Sequence, residues 1–136
     1  MRLFFDANTL FTAAHNPKGK AALIIDLGAK GHWKLYTSAY AIEEARRNLE
    51  AKLPAALGAF AKLLAMFQTG PESRSHKCPA GLPDKDCPIY LAAHGCRATH
   101  LLTGDIRDFG PLMNQPKKTD GLVIQTVAQF LDSLPL

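Results

Sequence analysis

The chain reads as an α/β protein built on a parallel sheet with helices on both faces. Three observations carry that reading. Arg2-Leu-Phe-Phe-Asp6 opens the sequence as a nearly continuous apolar run of the kind buried in a parallel sheet. A second such run, Thr99-His-Leu-Leu-Thr103, stops abruptly at Gly104-Asp105. Between them, segments with helical spacing alternate with short apolar runs, the pattern of a covered parallel sheet rather than of hairpins.

The elements follow in order. Residues 2–6 form the first strand and 7–14 a helix, closed by the Asn16-Pro17-Lys18-Gly19 loop. Residues 20–29 give a second helix with Ala21, Leu23, Ile24 and Leu27 as apolar surface, and Gly28 and Gly31 near its end. Lys34–Thr37 is a short strand. Ser38 is placed to cap the next helix, where Ile42, Ala45, Leu49 and Leu53 recur at helical spacing over 39–52. Pro54 starts a further helix, which continues through 55–67 with Leu57, Phe60, Leu63, Leu64 and Phe67. Gln68 to Pro83 is a long irregular stretch without a strand, the type of connection that forms lids and binding loops or stays disordered. Cys87 to His94 is helical and ends at Gly95, with Pro88 tolerated in its first turn. Residues 99–103 and 122–126 are the last strands, and a short helix runs through Leu131.

Length and composition bound the function. The 136 residues make one domain, 1–136, able to bury its own core. An apolar content of 47% with 21% charged residues is that of a globular protein, and no run approaches the roughly 18 residues of a membrane span. Asp6 interrupts the N-terminal apolar run too early for a secretory signal, so the expected location is cytoplasmic. Cys78, Cys87 and Cys96 form no Cys-x-x-Cys pair, and His76 beside Cys78 has no second ligand pair at zinc spacing. Reduced thiols are the expectation. Neither Gly-x-x-x-x-Gly-Lys nor Gly-x-Gly-x-x-Gly occurs, and no Ser-His-Asp arrangement competes.

The acids carry the chemistry. Asp6 and Asp105 end strands, where ligands collect in open α/β sheets. Asp86 directly precedes a helix, with Asp84 as its more exposed neighbour; Asp108 lies one turn beyond Asp105. Helix capping also suits Asp6 and Asp86, and a simple turn also suits Asp105. Glu43 and Glu44 sit in mid-helix, where Arg46 and Arg47 can pair with them, and the helical wheel does not choose between the two. Four carboxylates drawn together from distant segments cannot all stay ionised unless a cation joins them. An all-oxygen set suits a hard divalent ion such as Mg²⁺ or Mn²⁺. Such ions acidify bound water and neutralise phosphate charge, the two needs of phosphodiester cleavage. Asn8 and Thr9 stand ready to hold a metal-bound water or to orient Asp6.

The net charge of +4 understates the basic exterior. With Asp6, Glu44, Asp86, Asp105 and Asp108 drawn around metal, seven of the 12 acids remain against 16 Lys and Arg, a balance of +9. That balance suits a polyanion such as nucleic acid. Lys85, Arg97, Arg107, Lys117 and Lys118 lie near the acidic segments in sequence and are candidate substrate contacts or simply solvated charges.

Four segments together resemble the PIN-domain ribonucleases. They are Phe5-Asp6-Ala7-Asn8, Tyr40-Ala-Ile-Glu-Glu44-Ala-Arg-Arg-Asn-Leu49, Lys85-Asp86-Cys87-Pro88-Ile89-Tyr90-Leu-Ala-Ala93, and Leu102-Thr-Gly-Asp105-Ile-Arg-Asp108-Phe109. The closing Val123-Ile124-Gln-Thr126 with Phe130-Leu131 is similar to the end of such domains, so the likeness spans essentially the whole chain in order. Cys87 and Pro88 stand where small residues such as Ala are more usual, and Gln68–Pro83 is a larger departure.

The resemblance implies a three-layer α/β/α domain with a central parallel sheet of four or five strands. It further implies cleavage of single-stranded RNA dependent on Mg²⁺ or Mn²⁺. Carried over by motif, Asp6, Glu44, Asp86 and Asp105 are the catalytic acids and metal ligands, and Asp108 is an additional metal ligand. Asn8 and Thr103 support them. The spacing of the acid five positions before Leu49 favours Glu44 over Glu43. Similarity to VapC-type toxins implies the toxin of a toxin–antitoxin pair, with an antitoxin protein as partner and a possible homodimer. The other readings are an RNA-binding module of the same fold without turnover, or a metal-dependent nuclease outside a toxin–antitoxin system.

Overall fold

The computed structural model describes residues 1–135. Its centre is β1 (Arg2–Phe5), where Leu3, Phe4 and Phe5 are fully buried. Helix α1 (Ala7–His15) follows at once, and α2 (Lys20–Ala29) leads into β2 (Lys34–Thr37). Next come α3 (Ala39–Lys52), α4 (Leu57–Leu64), the two-residue strand β3 (Gln68–Thr69) and α5 (Cys87–Gly95). Strand β4 (His100–Leu102), α6 (Ile106–Phe109), β5 (Val123–Gln125) and α7 (Val127–Ser133) complete the chain.

All strand pairs are parallel, in the order β3-β2-β1-β4-β5. Leu3 of β1 stands beside Leu35 of β2 and His100 of β4, which fixes the register of the three central strands. Parallel neighbours require crossovers, and helices supply them, so the sheet is covered on both faces in a three-layer α/β/α arrangement. One helical layer is organised around α1, which packs on α2, α3 and α4.

The sequence dictates the helix ends in the expected way. Ser38 accepts a hydrogen bond from Ala41 N at 3.1 Å and starts α3, whose Ala41, Ala45 and Leu49 are buried. Thr126 and Gln129 form a reciprocal capping box at α7, satisfying two otherwise orphaned donors.

Three expectations need correction. The helix expected through residue 67 ends at Leu64, because the chain must turn there to bring Phe67 edge-on to Phe5 at 5.0 Å between ring centroids. The stretch expected to lack a strand contains β3, whose Gln68 and Thr69 are exposed. Their polar side chains give no alternation signal; the open hydrogen-bonding edge of β2 at Tyr36 and Thr37 recruits them instead. The thiols of Cys78 and Cys87, expected to be reduced, are joined in a disulfide, leaving buried Cys96 free. The loop after β3 folds back along α5 and brings the two Cα atoms to 5.7 Å, within the span a disulfide bridges. Among the described residues, no helix is long and apolar enough to cross a membrane.

Candidate active site

Strand order makes the site. From β1 the chain proceeds to β2 on one side, whereas β4 pairs on the other, so the carboxyl ends of β1 and β4 flank the point where the sheet reverses direction. Crevices at such points are where open α/β sheets bind ligands. Asp6 follows β1 and Thr103-Gly104-Asp105 follows β4, so both acidic turns open at this crevice.

Asp6 is 3% exposed and fully engaged. Its Oδ1 accepts from Ala7 N at 2.7 Å, and Oδ2 accepts from Thr103 Oγ1 at 2.7 Å and Asn8 Nδ2 at 3.1 Å. Burial raises its carboxyl to about 6 despite those donors, with Glu44 and Asp86 adding charge repulsion. The helix-cap reading of Asp6 is therefore correct as local structure, and the same side chain also sits in the field of two further acids.

Asn8 and Thr103 knit the two strand ends together. Asn8 Oδ1 accepts from Gly104 N at 2.7 Å, and Asn8 Nδ2 reaches Thr103 Oγ1 at 3.3 Å. A Cβ on Gly104 would stand 3.3 Å from Asn8 Oδ1, so glycine suits this close backbone approach. Thr103 Oγ1 in turn accepts from Asp105 N at 3.0 Å, which links the Asp6 carboxylate to the Asp105 turn through one hydroxyl. The buried Thr9 hydroxyl lies 2.9 Å from the Leu102 carbonyl and 3.1 Å from Asn8 Oδ1, so it supports the end of β4 and the Asn8 amide rather than Asp6 directly.

Asp86, Asp105 and Asp108 each place a carboxylate oxygen within 4.8 Å of the others. Asp86 arrives from the turn before α5, and Tyr40 of α3 ties that turn down by donating to the Lys85 carbonyl at 3.0 Å. Asp84 is exposed and Asp86 buried, as expected. Asp105 caps α6 by accepting from Asp108 N at 3.0 Å, which holds the two acids one turn apart.

The Lys85 ammonium stands among the three, 2.6 Å from Asp108, 3.3 Å from Asp86 and 3.8 Å from Asp105. Its side chain is otherwise largely exposed. Hydrogen bonding to Asp108 holds the ammonium above its ordinary range and the Asp108 carboxyl below its own. Asp86 moves the other way: burial pushes its carboxyl up, against the pull of Lys85. Its Oδ2 is buried, and its one partner is the Lys85 ammonium, an ion-pair contact at 3.3 Å rather than a well-aligned hydrogen bond. A buried carboxylate oxygen met only by a largely exposed ammonium, among carboxylates already gathered round that cation, fits a divalent ion with oxygen ligands.

The helix face separates the paired glutamates. Glu43 is exposed and pairs with Arg46 at 2.9 Å and Arg47 at 3.9 Å. Glu44 is half-buried and acts on the Asp6 carboxyl. Glu44 and Asp6 both lie outside the cluster of three.

The basic candidates divide by strand polarity. Lys85 and Arg107 are at the carboxyl end of the sheet with the acids. Arg97 precedes β4, and Lys117 and Lys118 precede β5, so these three belong to the amino end and their sequence proximity to the acids is misleading. Lys85, expected as a substrate contact or a solvated charge, instead stands among three acids, and a cation directly before Asp86 was its only signal in the sequence.

Fold and acid-lined crevice together define a PIN-like α/β/α domain. A chain of a solved VapBC2 structure from Rickettsia felis, bound to a DNA fragment from their promoter, superposes with a TM-score of 0.64 at 14% identity, covering 93% of this chain and 98% of that one. A chain of VapBC-1 from nontypeable Haemophilus influenzae superposes with a TM-score of 0.58 at 14% identity, covering 94% and 99%. No family model and no curated protein matches the sequence.

Proposed function

We propose that this chain is a divalent-metal-dependent ribonuclease that cleaves phosphodiester bonds of single-stranded RNA. The observation that carries the reading is the convergence of Asp86, Asp105 and Asp108 around a cation at the sheet's switch point, with Asp6 and Glu44 close behind. Asp86, Asp105 and Asp108 would hold Mg²⁺ or Mn²⁺, with Asp6 and Glu44 adding negative charge. When bound, such an ion supplies an activated water and neutralises charge on the phosphate.

The chain's own groups prepare that site. Thr103 and Asn8 fix the Asp6 carboxylate so that it cannot swing away when its charge is needed. The Tyr40 hydroxyl holds the Lys85–Asp86 backbone against α3, which keeps Asp86 on the same side as Glu44. Lys85 and Arg107 at the rim offer cations to a polyanionic backbone. The DNA in the Rickettsia felis structure belongs to that complex, and RNA is the substrate proposed for this chain.

The likeness to chains of VapBC structures supports a toxin role with an antitoxin protein as partner; a homodimer is proposed as the assembled form without support from that likeness. The proposed compartment is the cytoplasm, where an RNA substrate resides. The test is cleavage of a mixed single-stranded RNA pool with Mn²⁺, Mg²⁺ or EDTA, alongside Asp105→Asn. Metal-dependent cutting by the wild type and its loss in a folded Asp105→Asn variant are expected. Undiminished cutting by that variant would remove the cluster from the reaction.

A further inference from the structure

A second group of metal-ligating side chains lies at the opposite end of the sheet. His76, His94 and Asp120 each present one ligand atom, and these atoms lie within 4.8 Å of one another. They come from three separate segments: the loop after β3, the last turn of α5, and the connection from α6 to β5. His94 is about eight residues beyond Asp86 along α5, or on the order of 12 Å at 1.5 Å per residue. The three acids at the crevice therefore take no part in it.

Each member is positioned by its surroundings. Ser73 Oγ hydrogen-bonds His76 Nδ1, which leaves Nε2 as that ring's free nitrogen. His94 Nε2 reaches the Thr119 carbonyl at 3.2 Å, and the Tyr90 ring meets His94 edge-on at 4.7 Å. Thr119 is buried and donates its hydroxyl to the Leu122 carbonyl at 2.7 Å, locking the turn on which Asp120 sits. Asp120 has φ of 51°, a left-handed conformation that Asp tolerates better than most residues.

The loop that carries His76 is itself seated closely on α5. Ser73 N donates to the Leu91 carbonyl at 2.9 Å, and a Cβ on Gly95 would overlap the Pro71 carbonyl. The His76 and His94 rings stack 11° from parallel with centroids 4.0 Å apart. Two imidazolium ions would repel in that arrangement, so the stacked geometry itself favours neutral, ligating rings. Two neutral imidazoles and one carboxylate match the preference of a borderline transition ion and are a poor set for Mg²⁺.

We propose that His76, His94 and Asp120 form a binding site for a divalent transition-metal ion of the Zn²⁺ class, which staples the loop after β3 to the end of α5 and to the β5 connection. The site is independent of the reaction proposed at the crevice. An ion lies in the plane of each imidazole that binds it, so loading turns one ring out of the stack. Water completes the coordination.

The test is Zn²⁺ binding to the full oxidised chain in competition with a chromogenic chelator, with millimolar Mg²⁺ present to occupy the acidic crevice. One Zn²⁺ per chain is expected, together with a rise in Tm. His76→Ala and Asp120→Asn should each weaken binding at least about tenfold, the loss seen even when supporting groups of a metal site are removed. Asp120 is exposed, so Asp120→Asn should leave the metal-free Tm unchanged. Half-buried His76 also packs on His94, so His76→Ala should remain folded with a small loss of Tm, and only the weakened Zn²⁺ binding common to both variants counts. Co²⁺ substitution should give visible bands without a thiolate charge-transfer band. Unchanged Zn²⁺ affinity in both variants would overturn the assignment. Loss of binding in Asp105→Asn instead, or a strong thiolate band, would overturn it equally by placing the ion on the crevice acids or on reduced Cys78 and Cys87.

Discussion

The Thr103 hydroxyl donates to Asp6 Oδ2 at 2.7 Å, bridging two strand ends that are 97 residues apart in sequence. This one contact joins the acid after β1 to the acid after β4, because the same oxygen accepts from Asp105 N. It is also the foremost interaction favouring the Asp6 charge. Thr103→Val keeps the shape and deletes the donor. The expected result is a loss of about 1.5–3 kcal/mol, the range for a hydrogen bond to a charged group. The Asp6 carboxyl should titrate above its present value of about 6. Carboxyl NMR titration checks this, and an unmoved Asp6 would show that Thr103 is only structural.

Asp6 makes the metal-free protein sensitive to pH. Its folded pKa of about 6 exceeds the ordinary 3.8, so the native state holds the proton more tightly than the unfolded chain. Stability from this residue is therefore present below about pH 3.8 and lost as pH rises through about 6. The difference corresponds to roughly 3 kcal/mol at neutral pH. Asp6→Asn removes the titration but also one of the two acceptor oxygens, so the expected signature is a flatter pH dependence. Without divalent ions its stability should change less than the wild type's between pH 4 and pH 7.5, by up to that amount. Urea unfolding at the two pH values decides it; an equal pH dependence in both proteins would mean that burial does not govern this carboxyl.

Lys85 competes with any divalent ion for the three acids. Its Nζ stands 2.6 Å from Asp108, yet the side chain is solvent-exposed, so water screens the pairing. Lys85→Gln should tighten Mn²⁺ binding by up to about fivefold, as measured by calorimetry. Weaker Mn²⁺ binding in this variant would show that Lys85 organises the acids instead of opposing the ion.

The adjacent glutamates offer an internal control. Glu44 acts on Asp6 whereas Glu43 is committed to Arg46 and Arg47 on the surface. Glu44→Gln should lower both Mn²⁺ affinity and RNA cutting at least about tenfold, on the scale of other groups that support a metal site. Glu43→Gln should leave both within about twofold, since exposed ion pairs contribute little. Equal effects would place the two residues in one shared role.

Much of the fold is local information and is legible in the sequence. The apolar runs before Asp6 and Asp105 announce two buried strands, since strands covered on both faces lack alternation. Ser38 and the spacing of Ala45 and Leu49 set α3 in the same direct way. Strand β3 is invisible for the opposite reason: two exposed polar residues join the sheet because β2 leaves an edge open, not because of their own preference.

By itself the sequence determined the α/β class and most element boundaries, and it supplied a list of candidate acids, because burial periodicity, caps and turn residues act over a few positions. Tertiary structure decided which of those residues meet. It set the strand order that aligns the ends of β1 and β4, turned Glu44 inward and Glu43 outward, and placed Lys85 among the acids. It also brought Cys78 to Cys87, and gathered His76, His94 and Asp120 from three segments. Such meetings depend on non-local strand pairing and on how a long loop packs against a helix, and no short window of sequence contains that information.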